Sequence, residues 1–98
     1  MRNQHTAVYR PKPGLSQTVA IGASSTAASS AFAAQTRYVV LDCDVACHIN
    51  FEGAATTSDQ HMAANIPYAF IVDPGQTVRV IQDSAAGTGT LWVSEVTF

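Results

Sequence analysis

Acidic residues are missing from the first forty-one positions of this chain, the earliest being Asp42. Three of its five basic residues, Arg2, Arg10 and Lys12, fall within the first twelve positions. After them come only Arg37 and Arg79, against seven acids. A basic leader on an acidic body tends to lie on a neighbour, an identical copy included. Charge is scarce throughout, at 12% of residues with a net of −2. The body therefore lacks the basic stripe that general nucleic-acid binding needs, and three dispersed leader cations support only weak, salt-sensitive contacts. Nucleic acid is not an expected partner.

Long apolar runs are absent as well. No stretch of eighteen apolar residues exists, so no transmembrane helix and no membrane partner are expected. Residues 15–23 follow Arg10 and Lys12 and precede the small-residue run Ala31-Phe32-Ala33, which resembles a signal-peptide layout. Ser, Thr and Gln interrupt that segment repeatedly, and cleavage would remove two strands, so it reads as part of the fold. Catalytic motifs are missing too. There is no Gly-x-Ser-x-Gly elbow, Gly87-Thr88-Gly89 reads as a hairpin turn, and His5, His48 and His61 are scattered over arm, strand and loop. No enzyme activity and no cofactor are expected.

What remains is strand grammar. Ninety-eight residues make one domain, and sixteen alanines thin its core, which favours docking or oligomerisation as added stability. Residues 1–16 hold Pro11 and Pro13, which favour an extended path, and are read as an arm; residues 17–98 are read as the folded domain. Residues 17–22 alternate as a strand, and residues 23–36 read as a loop with a short strand at 31–34 anchored by Phe32. Residues 37–42 and 46–52 are rich in β-branched and aromatic side chains and read as a hairpin joined at Asp44-Val45. A short strand near Met62 follows. Residues 68–72 and 77–82 flank Asp73-Pro74-Gly75, whose Pro and Gly suit a type II turn. The last strand, residues 90–97, sets Leu91, Val93 and Glu95 against Trp92, Ser94 and Val96. Six to eight short strands without a helix predict an all-β fold, a small antiparallel β-sandwich or jelly-roll-like domain with an extended N-terminal arm.

Cys43 and Cys47 are spaced C-x3-C. Free buried thiols, a cross-strand disulfide and a metal site are all open from the spacing, although Cys47 and His48 point to opposite faces of a strand and so do not make a ligand pair. No metal is expected. Trp92 and Tyr68 are interface aromatics or core edges, and an exposed tryptophan can also stack on a sugar. For docking, the residues of choice are Arg2, Arg10 and Lys12, with Tyr9 as an apolar anchor.

Several segments carry a resemblance. These are the Ala/Ser-rich run ending at Ala31-Phe32, R-Y-V-V-L-D, C-H-I-N-F, P-Y-A-F-I-V-D-P-G-Q-T-V-R-V-I-Q, and G-T-L-W-V-S-E. From Gln17 to Phe98 the chain resembles small virion proteins of tailed bacteriophages; the basic arm departs from that group. The resemblance implies a capsid decoration or cement protein, made in the host cytoplasm and located in the virion. Its partner would be the major capsid protein or another virion protein, and it would act as a homo-oligomer, with a trimer preferred. The alternative is a carbohydrate- or surface-binding module of a phage tail or fibre.

Overall fold

The computed structural model describes residues 9–84 and 87–97. Within them lie eight strands: β1 (Arg10–Ile21), β2 (Thr26–Ala27), β3 (Tyr38–Cys43), β4 (Cys47–Asn50), β5 (Gln60–Met62), β6 (Tyr68–Ile71), β7 (Arg79–Gln82) and β8 (Gly89–Thr97). They form two antiparallel four-stranded sheets, ordered β1-β8-β3-β6 and β2-β7-β4-β5. From β3 to β8, each strand lies in the opposite sheet to the one before it, apart from the β4-β5 pair. That interleaving is a jelly roll, the double-sheet solution in which two four-stranded layers share one core.

The core is what the alternation in sequence dictates. Val39, Leu41 and Cys43 from β3, Leu91 and Val93 from β8, and Val19 and Ile21 from β1 point inward from one sheet. Cys47 and Ile49 of β4, Val80 of β7 and Met62 of β5 meet them from the other. Phe51, Tyr68 and Phe70 are half-buried along one flank, where the Phe51 and Phe70 rings meet edge-on at 5.5 Å.

Three expectations about connection change. Residues 37–42 and 46–52 do not form a hairpin: β3 and β4 lie in different sheets, and residues 44–46 cross between them. Sheets stack about 10 Å apart, a gap that three extended residues span. Asp44 pins the crossing, since its Oδ1 accepts from Thr90 N at 2.8 Å. A side chain at Gly89 would overlap Asp44 and Val45, so this glycine permits the close approach. The Asp73-Pro74-Gly75 turn is present, with Gly75 at φ 85° and Gln76 N donating to Asp73 O. It too joins different sheets rather than a hairpin, because Val72 and Val78 turn inward to plug the core end. Gly87-Thr88 likewise leads from β7 in one sheet to β8 in the other.

No strand forms at residues 31–34. Phe32 still anchors that segment: it is buried, its N–H donates to Gln76 O and its carbonyl accepts from Gly75 N. The Asp-Pro-Gly turn supplies the partners that a strand would have needed. At the other end, residues 10–16, read from the sequence as arm, form the first half of β1 and pair with β8. Prolines are tolerated there because β1 is an edge strand. Residues 1–8 precede it and lie outside the described residues.

Candidate functional site

The outer face of the β1-β8-β3-β6 sheet carries the most exposed large apolar groups of the strands. Ile71 is 80% exposed and Trp92 45%. Trp92 stands on β8 directly between Thr18 of β1 and Asp42 of β3, so all three share the outer face. Of the surrounding outward positions, Ser16, Ala20, Thr90 and Ser94 are small and Val40 lies nearly buried, whereas the indole stays 45% exposed. Asp42 beside it is half-buried, and its Oδ1 is enclosed without a hydrogen-bond partner among the described residues. Tyr68, the other interface candidate, sits on the inner side of β6, where its hydroxyl accepts from Ala63 N at 3.1 Å. Its role in the described chain is packing, and the structure does not bring it to the Trp92 face.

The leader residues separate. Arg2 lies outside the described residues, and Tyr9 is half-buried just before β1. Arg10 is exposed on β1 opposite Thr97. Lys12 turns back onto its own chain: its Nζ donates to Gln35 O at 3.0 Å and to Thr36 Oγ1 at 3.3 Å.

That contact belongs to a buried polar cluster the sequence only hinted at. Between Pro11 and Ser16 the β1 register jumps, so residues 12–15 bulge opposite the single residue Glu95. Glu95 is 3% exposed and points inward with Leu91 and Val93. Its Oε1 accepts from Ala33 N at 3.0 Å and, at close range, from Thr36 Oγ1. Lys12, Thr36 and Glu95 thus tie the bulge to the turn before β3. Beside them Gln17 holds the chain at Ser29 and Ser30 through both ends of its amide. The bulge leaves a cleft of about 90 Å³ lined by Gly14, Leu15, Ser16, Gln17, Ser30, Ala31 and Glu95. The signal in the sequence was a charged residue in phase with an apolar row.

A second polar cluster lies on the outer face of the other sheet. His48, 7% exposed, is held from both sides: Nδ1–H donates to the Asp59 carbonyl at 3.0 Å, and Nε2 meets Asp83 Oδ1 at 2.8 Å. His61, its cross-strand partner on β5, lies edge-on at 5.2 Å. Both ring nitrogens face acceptors, so the imidazolium satisfies the pocket and neither nitrogen is left free to act as a base. Burial pulls the His48 pKa down, but the hydrogen bond to Asp83, the Asp59 carbonyl and the charges of both carboxylates outweigh it and raise it above 6.5. The hydrogen bond from His48 holds Asp83 below 3.8. A raised histidine stabilises the fold fully below pH 6.5 and loses that contribution as pH climbs through its folded value. A depressed aspartate contributes above 3.8 and loses it as pH falls through its folded value. Asp83→Asn is therefore expected to lower the thermal midpoint most between about pH 4 and 6.5. The gap to the parent protein should narrow on either side of that window, which melts followed across pH 3–9 would check.

The thiols are free and fully buried. Cys43 and Cys47 come from opposite sheets and meet across the core beneath the β3–β4 crossing, within hydrogen-bonding reach of each other. Cys43 also donates to Ala63 O at 3.4 Å. Burial raises the Cys43 thiol and pushes Cys47 up to about 12. Alkylation with iodoacetamide at pH 8 should leave both unlabelled in the folded chain and label both after unfolding, as read by intact mass. Labelling of native protein at the unfolded rate would contradict this placement. Among the described residues, no group of three His, Cys, Asp or Glu side chains is arranged to hold a metal.

No family model matches this chain, and no curated protein or solved structure is significantly similar to it.

Proposed function

We propose that this chain is a non-enzymatic structural protein of a virus particle. It is a decoration or cement protein that docks as a homo-oligomer, a trimer by preference, on the major capsid protein or another virion protein. The observation that carries the reading is the outer face of the β1-β8-β3-β6 sheet, where Trp92 and Ile71 stand exposed on a hydrogen-bonded ladder. Large apolar and aromatic groups exposed on a sheet face suit protein docking, tryptophan above all. The jelly-roll strand order adds an association, since viral capsid and lectin domains share it, although fold alone does not assign function. A basic leader on an acidic body supplies the electrostatic half of such docking. Many equivalent copies on a repeating shell then gain through multivalency.

The test is composition. Gradient-purified particles from cells that carry the gene should contain the chain in a fixed ratio to the major shell protein. Its absence from particles while it accumulates free in the cell would overturn the reading.

One observation favours a second reading, a carbohydrate-binding module of a tail or fibre. Trp92 is flanked on its own face by the Thr18 and Ser94 hydroxyls and by Asp42, a stacking plate with polar groups around it. Sugar binding would shift emission from Trp92, the single tryptophan, on titration with oligosaccharides.

A further inference from the structure

We propose that Trp92 and Asp42 form a receptor for a guanidinium group, and that Arg2 in the leader of a second copy fills it. The inference rests on the docking reading and deepens it by naming the segment that docks and the place it occupies.

Three observations converge. Trp92 offers an exposed indole face, and Asp42 stands directly beside it across the ladder on the same face of the sheet. A guanidinium is the side chain best suited to stack on an aromatic plane while pairing with a carboxylate, being planar and more weakly hydrated than an ammonium. Asp42 also lacks compensation: no ion pair to its carboxylate is found among the described residues, and because Oδ1 is enclosed while the residue is only half-buried, a guanidinium would meet the side chain from its open side rather than at Oδ1. Asp44, two residues on, adds a second acid at the same end of the sheet.

The leader has the complementary character. Residues 1–8 contain Arg2 and no acid. Lys12 is already engaged by Gln35 and Thr36. Geometry favours a second molecule as the donor. The chain enters β1 at Arg10, opposite Thr97, whereas Trp92 lies five residues along β8, about 17 Å away at the usual strand rise. Because β1 runs from Arg10 toward Trp92's end, a leader reaching its own tryptophan would have to double back at Tyr9. Eight residues span up to about 26–29 Å when extended, enough to reach across to a neighbouring copy.

The experiment uses the full chain and its single tryptophan as reporter. Sedimentation equilibrium and acrylamide quenching of Trp92 are measured over the same concentration series. The expected result is that shielding of Trp92 rises with association and that added salt weakens both. Arg2→Gln and Asp42→Asn should each raise the dissociation constant about tenfold. The double variant should weaken association no further than either single change, because each removes the same contact. Unaltered melting curves of the variants are the control that folding is intact.

Additive effects of the two changes, or association unaffected by both, would overturn the receptor while leaving self-assembly and docking standing. Trp92 shielded in a monomer at every concentration would overturn the second copy as donor. Quenching by oligosaccharides with no response to concentration would overturn the receptor in favour of a sugar site.

Discussion

Leu41→Ala is expected to lower the thermal midpoint by roughly 10 °C or more, and in this small domain it comes close to abolishing the folded state. Leu41 is fully buried on β3, a central strand, with Val93 of β8 on one side and Tyr68 of β6 on the other. Deleting a buried leucine side chain costs about 2–5 kcal/mol, the transfer energy plus the cavity left behind. Domains of this kind are stable by only about 5–15 kcal/mol, and each kcal/mol moves the midpoint of a chain this short by about 4–8 °C. The core has little with which to refill the space, because its commonest contributor is valine, short and branched at Cβ, and Val39, Val80 and Val93 are already packed. Ile71→Ala supplies the contrast. It removes a similar volume from a position 80% exposed, and should change stability by no more than about 0.5 kcal/mol. Circular dichroism melts of the two variants side by side check both values.

Glu95→Ala is the second large effect, and it acts through polar satisfaction. The change strips the acceptor from Ala33 N and from Thr36 Oγ1, leaving the half-buried amide and the fully buried hydroxyl without that partner. Lys12, which donates to the same threonine, loses the far end of its chain of contacts. Leaving buried donors unpaired costs about 1–3 kcal/mol each, so a loss of about 2–4 kcal/mol is expected, lessened where the cleft admits water. Glu95→Gln keeps the side-chain shape and an acceptor oxygen for both donors, and should recover most of that loss. Urea unfolding of the pair separates the explanations. Equal destabilisation by alanine and glutamine would mean that charge, not hydrogen bonding, carries the cluster. An alanine variant as stable as the parent would mean that the bulge is held by something other than Glu95.

Strand existence was legible because alternation is a local property. Val39, Leu41, Leu91 and Val93 point inward where the pattern put them, and Glu95 shares their face as the sequence implied. Pairing was not legible, for a physical reason. A three-residue link such as residues 44–46 closes a hairpin or steps between sheets equally well. What decides between them is which face of each strand finds a core. Cys43 and Cys47 both had to face inward, and a crossing satisfies that requirement. The strand expected at residues 31–34 failed because Phe32's backbone is bound by Gln76 and Gly75, partners more than forty residues away.

Of the candidate site, Trp92 was visible as a lone tryptophan on the polar side of an amphipathic strand. Asp42 was not, since its place beside Trp92 depends on the pairing of β3 with β8. The His48–Asp83 clamp was hidden for the same reason: the two residues are thirty-five positions apart and meet only through the β4–β7 ladder. Lys12 was counted as a docking cation because of its charge. Its bond to Thr36 depends on the four-residue bulge, which no local pattern announces.

If the chain docks on a particle as proposed, it must bind shells that lack it. Full-length chain is added to particles assembled without it, the mixture is sedimented, and bound chain is counted per shell subunit, alongside the temperature at which the particles release their contents. The expected result is saturable binding at a fixed ratio, weakened by Trp92→Ala, and a raised release temperature. Folded chain that stays in the supernatant at every concentration, with release temperature unchanged, would contradict it.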